Sequence, residues 1–453
     1  MSKPLFSEFS PVSAKAFKQK IQYDLDGAEY NETLVWNAPE GISVKPFYHR
    51  QETQVLPIPG QPENWSCVEE IFILKPQTAA ATASRALTKG AEAIYFKADN
   101  TFDSAQLFAH LPQESLVLYF NFSFLDVSFC ETLMAQAAAK GFTVYLNQDI
   151  LGNLARSGNW YTTQKEDHQA LEKLFLNGKN DNVIGVDVSL YHNAGATVIQ
   201  ELAYALSHLN EYFNHYGETL KNQKVTFKVA LSSNYFFEIA KLRALRLLVA
   251  TLAREYGLQE NCHILAVPGK RDKTLFDYNT NLLRTTTEVM SGILGGANAI
   301  CNIAYDAVYH KTNDFGQRIA RNQLLILKNE SHFDNTTNPA DGTYYIENLT
   351  KQFAEKALAL FKEIEAGGGF VNQLIEGKIQ KKIKEAAAKE QKAFDDQQKI
   401  LVGTNAYVNS IDKMNDELEL YPFVKINPRK TLLEPIIPKR LAEQLEQKRL
   451  KDE

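Results

Sequence analysis

The stretch Val225-Thr226-Phe227-Lys228-Val229-Ala230-Leu231, followed by Phe236–Tyr256 and then by Cys262-His263-Ile264-Leu265-Ala266-Val267, decides the fold class. Two short runs rich in β-branched and aliphatic residues flank a longer segment of helical composition. A parallel strand buried on both faces reads as such a near-continuous apolar run. In the longer segment Ile239, Leu242, Leu245, Leu248 and Leu252 recur at helical spacing, while Glu238, Lys241, Arg243 and Arg246 interleave. That pattern predicts an amphipathic helix packed on the outside of a barrel.

Working outward, the same alternation recurs along the chain. Further strand candidates are Val68–Leu74, Ala93–Phe96, Leu116–Phe120, Thr143–Leu146, Val183–Val188 and Ala299–Ile303, making eight in all. Helical composition marks Thr78–Thr88, Glu131–Lys140, Ala196–Asn214 and Leu282–Leu294. Eight strands with helical crossovers is the count that closes a (β/α)8 TIM-type barrel. An open doubly wound sheet needs a similar alternation, so strand count leaves closure undecided. The expected division is an N-terminal arm (1–62), the barrel (63–330) and a C-terminal helical extension (331–453). The arm carries helix-like Ser13–Leu25 and then Pro39, Pro46, Pro57, Pro59 and Pro62, which suits a segment running over a surface, its own or a partner's. In the extension a helix over Thr350–Ala366 stops at Gly367-Gly368-Gly369, Gly377–Gln398 reads as an exposed helix, and Ile436–Glu453 as a solvated one.

Composition narrows the function classes. With 54 acidic and 49 basic residues the net charge is −5, which provides no basic field for a nucleic acid. No apolar run reaches the roughly 20 residues that span a bilayer, and Met1-Ser2-Lys3-Pro4-Leu5-Phe6 lacks the apolar core of a secretory signal, so a cytoplasmic location is expected. Cys67, Cys130, Cys262 and Cys301 are far apart, without C-x-x-C spacing, and read as buried reduced thiols.

In a barrel, chemistry sits just after the strands. The residues there are Lys97 and Asp99, Asn121, Asn147 to Asp149, Ser189 to His192, Ser232 to Asn234, Gly269 to Arg271, and Asn302 with Asp306. They are mainly amides, hydroxyls and aromatics, with no obvious cluster of metal ligands. His192 could donate to a substrate carbonyl or act as a general acid, but a hydrogen-bonded wall histidine beside Tyr191 is the simpler reading. Arg284, Arg318 and Arg321 could hold a phosphate or carboxylate, and structural ion pairs compete with that. Gly295-Gly296 reads as a helix C-cap, and neither a Walker motif nor a G-x-G-x-x-G fingerprint is present.

The run from Phe315 to Gly369 resembles the substrate-barrel region of the methylmalonyl-CoA mutase family. Its markers are Arg318-Ile319-Ala320-Arg321-Asn322, Asn338-Pro339-Ala340-Asp341-Gly342-Thr343-Tyr344-Tyr345-Ile346-Glu347 and Ile364-Glu365-Ala366-Gly367-Gly368. Glu40 to Tyr48, Tyr235 to Arg243, Asn281 to Thr286 and Val402 to Asn405 agree with the family in the same order. The resemblance implies a barrel that takes an acyl-CoA through its centre in active chains, and a separate cobalamin-binding domain whose adenosylcobalamin starts a radical 1,2-rearrangement. It also implies that Tyr191-His192 matches the family's catalytic tyrosine–histidine pair and that Asn234 keeps an asparagine of the substrate region.

Departures from the active pattern shape the expectation. The family's cobalt-ligand signature has Asp two residues before His, and none of the nine histidines here is preceded that way. The approach to the first strand, arginine-rich in active chains, reads Asn64-Trp65-Ser66-Cys67-Val68-Glu69-Glu70, where two carboxylates would repel an anionic acyl group. Asn147 to Leu154 is similar to the small subunits of the family. The resemblance therefore implies a non-catalytic small subunit in a heterodimer with a large, cobalamin-bearing chain, with no cofactor bound here and Tyr191 and His192 vestigial. The alternative is the catalytic barrel of a split acyl-CoA mutase, with Tyr191, His192 and Asn234 holding substrate and cobalamin on another chain. A third reading keeps an acyl-CoA ligand without chemistry; a blocked bore would favour the scaffold.

Overall fold

A computed structural model describes residues 5–112, 115–177, 181–425 and 428–453. Its centre is an eight-stranded sheet formed by β1 (Ser66–Phe72), β2 (Ala93–Ala98), β3 (Val117–Phe122), β4 (Thr143–Tyr145), β5 (Gly185–Asp187), β6 (Thr226–Leu231), β7 (His263–Pro268) and β8 (Ala299–Cys301). Neighbours pair in parallel in the order β4-β3-β2-β1-β8-β7-β6-β5. The two outer strands of that order then meet. Leu146 N–H donates to Asn182 O at 2.9 Å, Gln148 N–H to Val183 O at 2.8 Å, and Gly185 N–H to Gln148 O at 3.0 Å. This seam answers the question that strand count left open, in favour of the barrel. Gly185 is required there, because a Cβ would stand 2.9 Å from the Asn147 Cα.

All eight strand expectations fall on strands, shifted by at most a few residues. The helices Tyr30–Leu34, Ser104–Ala109, Ile150–Ser157, Gln164–Asn177, Ser189–Asn193 and Gly369–Ile375 were not anticipated. Successive side chains of a strand point to opposite faces, so the barrel separates two cores. Outside, Ile94, Phe96, Leu118 and Phe120 pack beneath the surrounding helices. Inside, Val68, Ala93, Tyr95, Tyr119, Tyr145, Leu265, Val267, Ala299 and Cys301 pack against one another. All four cysteines are buried and free.

The charged residues of the helix Tyr235–Glu255 depart from the amphipathic expectation. Glu238, Lys241, Arg243 and Arg246 are all at most 1% exposed: Lys241 bonds Glu201, Glu238 and Ala230 O, Arg246 bonds Cys262 O, Gly296 O and Asn298, and Arg243 lies on the side where the helix Tyr344–Ala366 packs. Arg243 donates to Asn338 Oδ1 at 2.8 Å and to Asp341 Oδ1 and Glu347 Oε1 at 2.9 Å. Glu347 also accepts from the Gly342 N–H at 2.9 Å and, through Oε2, from Leu56 N–H at 3.1 Å. The Asn338 to Glu347 motif is therefore an arginine clamp that fastens the extension, and the arm, to the barrel's helical layer.

Two expectations for the C-terminal extension are also corrected. The helix Lys378–Asp395 is exposed on one side only and buries Ile379, Ile383 and Phe394 on the other. The final segment is not simply solvated: Arg440, Leu441, Ala442 and Glu446 are buried. Arg440 donates to Lys273 O at 2.9 Å and Glu446 accepts from Leu275 N–H at 2.8 Å, so this segment straps the loop after β7. At the other end, the arm forms the helix Ala14–Asp24 and a two-stranded antiparallel pair, Trp36–Asn37 with Ser43–Val44. Leu5, Phe6, Phe9, Val12 and Tyr23 of the arm stand exposed. No helix of the described residues is long and apolar enough to cross a membrane.

Candidate functional site

The resemblance noted from the sequence implies a substrate path through the bore, and here side chains fill it. Register places Tyr95 beside Tyr119 and Tyr119 beside Tyr145 on three adjacent strands. Tyr119 stacks on Tyr145 with ring centroids 4.8 Å apart, and Tyr145 stacks on His263 of β7 at 4.3 Å. The Tyr119 hydroxyl and His263 Nε2 share a 2.9 Å hydrogen bond across the bore. Burial holds the His263 imidazole neutral, its pKa pushed down to about 3. A cavity between Tyr95, Asn121, Asp187 and Lys228 has a volume of about 30 Å3. Ligand pockets usually measure roughly 300–1,000 Å3.

Above this plug the mouth carries paired charges. Lys97 Nζ lies 2.6 Å from Glu70 Oε2, and Lys228 and Arg156 both reach Asp187 Oδ2, at 3.4 and 2.9 Å. Burial opposes ionisation of Asp187, yet the two cations hold its pKa down to about 2. Glu69 points the other way, out of the barrel, and pairs with Arg321. The repulsion expected from Glu69 and Glu70 therefore does not come from free carboxylates, since each has a cationic partner on a different strand or helix.

Tyr191 and His192 sit together on the short helix Ser189–Asn193 but serve separate networks. Tyr191 is fully buried in the outer core against Tyr204 and Phe370, turned away from the bore. Its hydroxyl bonds to His208 Nδ1 at 2.9 Å, and His208 Nε2 contacts Asp149 Oδ1 at 2.8 Å. Asp149 also accepts from Tyr212 OH at 2.9 Å, Gly152 N–H at 2.7 Å and Asp187 N–H at 2.9 Å. Burial pushes the Asp149 carboxyl up, but His208 and these donors outweigh it and leave the group below its ordinary range. Burial raises the Tyr191 hydroxyl well above its usual value.

His192 Nδ1 meets Glu201 Oε1 at 2.8 Å, and Glu201 Oε2 accepts from Lys241 at 2.9 Å. Lys241 also pairs with Glu238 at 2.6 Å, and Ser232 donates to Glu238 at 2.7 Å. Sequence reasoning left His192 without a partner because Glu201, Lys241 and Glu238 lie on two other helices. The imidazole is 10% exposed, and a Cβ on Gly269 would stand 2.6 Å from its Nε2, so the loop after β7 covers that edge. The His192 ring thus has one nitrogen engaged and the other against Gly269, which does not fit a cobalt ligand. Asn234, by contrast, is exposed at the start of the helix Tyr235–Glu255 and makes no side-chain capping bond.

Several other candidates make structural contacts. Asn121 donates to Tyr95 OH at 2.8 Å, Asn302 to Ala320 O at 3.0 Å and Asn313 to Asp306 at 2.7 Å, while Arg271 pairs with Glu390. Arg284 bonds Thr274 and Asn281, at 3.0 and 2.8 Å.

Comparison with known proteins agrees with this architecture. Residues 99–440 match the methylmalonyl-CoA mutase family. The chain is 30% identical to the methylmalonyl-CoA mutase small subunit of Porphyromonas gingivalis over 92% of its own length and 73% of that protein. It is 35% identical to a methylmalonyl-CoA mutase of Rhizobium meliloti over 49% of this chain and 33% of that one. With the methylmalonyl-CoA mutase large subunit of Streptomyces virginiae it shares 24% identity over 90% of this chain and 64% of the other. The similarity extends across both the barrel and its helical extension, and the chain belongs to the methylmalonyl-CoA mutase family.

Proposed function

We propose that this chain is a non-catalytic small subunit of a cytoplasmic, adenosylcobalamin-dependent methylmalonyl-CoA mutase, which stabilises a large subunit that carries the cobalamin and the chemistry. The filled bore carries this reading: Tyr119, Tyr145 and His263 stand where an acyl-CoA chain would have to thread. The likeness to a small subunit over most of both chains supports it. The proposed organisation is an arm (1–62), a barrel (63–330) and an extension (331–453), with the exposed apolar side chains Leu5, Phe6, Phe9 and Val12 of the arm meeting the partner. A split catalytic barrel is less well supported, since Tyr191 points away from the bore and His192 is held by Glu201.

Co-expression with the large subunit, followed by size exclusion with light scattering, should give a one-to-one complex that converts methylmalonyl-CoA to succinyl-CoA. His192→Gln and Tyr191→Phe should leave turnover per complex unchanged. Deleting residues 5–25 should abolish association while leaving the barrel folded. Isomerisation by the lone chain supplied with adenosylcobalamin and thioester, or failure to associate, would overturn the proposal.

A further inference from the structure

A second concavity lies on the outside of the barrel, away from the bore and its mouth. The helices Pro76–Thr88 and Asp314–Leu325 part over Glu69 of β1 and leave a cavity of about 320 Å3. Four cationic residues line it, Arg85, Lys89, Arg318 and Arg321, against the two carboxylates of Glu69 and Asp314. Arg321 is bound to Glu69 at the floor, and Arg85 pairs with Asp314 at 3.7 Å. Lys89 and Arg318 keep no ion-pair partner among the described residues, which leaves two positive charges at the walls. Arg321 is 7% exposed, yet its Nε has no hydrogen-bond partner. A buried guanidinium donor left open beside a cavity is costly unless something accepts from it.

We infer that this groove binds a small organic phosphate. The unspent charge of the lining matches a phosphate dianion, and guanidinium groups suit phosphate oxygens. The volume is at the lower end for organic ligands, so there is room for more than an inorganic ion. Phe315 supplies a flat apolar wall, with the Arg318 guanidinium 5.3 Å from its ring centroid, where a planar group of the ligand stacks. The inference does not depend on the proposed subunit role, because no residue of the groove belongs to the bore or the arm.

Isothermal titration of the full chain at low ionic strength, with AMP, inorganic phosphate and adenosine as probes, tests it. AMP should bind at one saturable site with Kd below about 1 mM, inorganic phosphate more weakly, and adenosine not measurably. Lys89→Glu and Arg318→Glu reverse exposed charges, so the fold should be retained while AMP affinity falls by about tenfold or more. Lys362→Glu, on the distant helix Tyr344–Ala366, should leave affinity unchanged. No saturable binding of AMP up to about 5 mM would overturn the inference. So would an affinity indifferent to Lys89→Glu and Arg318→Glu, or one lost equally in Lys362→Glu. Equal affinity for AMP and inorganic phosphate would overturn the assignment of an organic ligand.

Discussion

Replacing Tyr119 with alanine tests whether the bore is packed protein or a channel. Tyr119 is 1% exposed, stacked 4.8 Å from Tyr145 and hydrogen-bonded to His263 at 2.9 Å. Truncating a buried aromatic ring to alanine typically costs about 3–5 kcal/mol in lost transfer energy and residual cavity. Stranding the His263 nitrogen adds about 1 kcal/mol. Tyr119→Ala should therefore lower unfolding free energy by about 4–6 kcal/mol, whereas Tyr119→Phe keeps the ring and should cost about 1 kcal/mol. Urea unfolding followed by tryptophan fluorescence and near-ultraviolet circular dichroism reads the difference, provided both probes give one midpoint. A loss under about 1 kcal/mol for Tyr119→Ala would mean that the ring stands in water, and the bore would then be an open channel.

Three further outcomes follow from the charged and titrating groups. His263 is neutral when folded, with a pKa near 3 against an ordinary 6.5, so the unfolded chain takes up a proton first as pH falls and stability is lost across that window. Between pH 6 and 4 the wild type should lose about 2–3 kcal/mol more than His263→Phe, measured by urea midpoints at each pH. Asp187 behaves differently: its pKa of about 2 lies below the ordinary 3.8, so its contribution is complete above about pH 4 and disappears as pH falls through 2. Asp187→Asn should thus be about 2 kcal/mol less stable at pH 7, the gap closing near pH 2. Arg243→Met leaves Glu347 buried without its cation and should cost about 3–5 kcal/mol, with limited proteolysis showing new cuts in the Asn338 to Glu347 turn.

The candidate site was legible only in outline. The residues after each strand were identifiable, because barrel topology fixes where they lie. Their roles were not: Asp149 is the hub of a buried tyrosine and histidine network built by Tyr191, His208 and Tyr212. That network joins residues up to 63 positions apart. A closer reading of the helix Val198–Tyr216 could have raised it, since His208 and Tyr212 stand four residues apart on one face of that element.

The amino-acid order by itself determined the eight strands, the main crossover helices and the family, because apolar runs and helical periodicity are local properties of the chain. Tertiary structure alone decided two further matters. It showed that Lys241, Arg243 and Arg246 are buried, since their partners Glu201, Glu347 and Gly296 lie on other segments and interleaved charges look the same whether solvated or paired. It also decided which face of each tyrosine-bearing strand turns inward: both faces are covered in a barrel, so neither is marked by polarity, and only closure puts Tyr119, Tyr145 and His263 in contact across the bore.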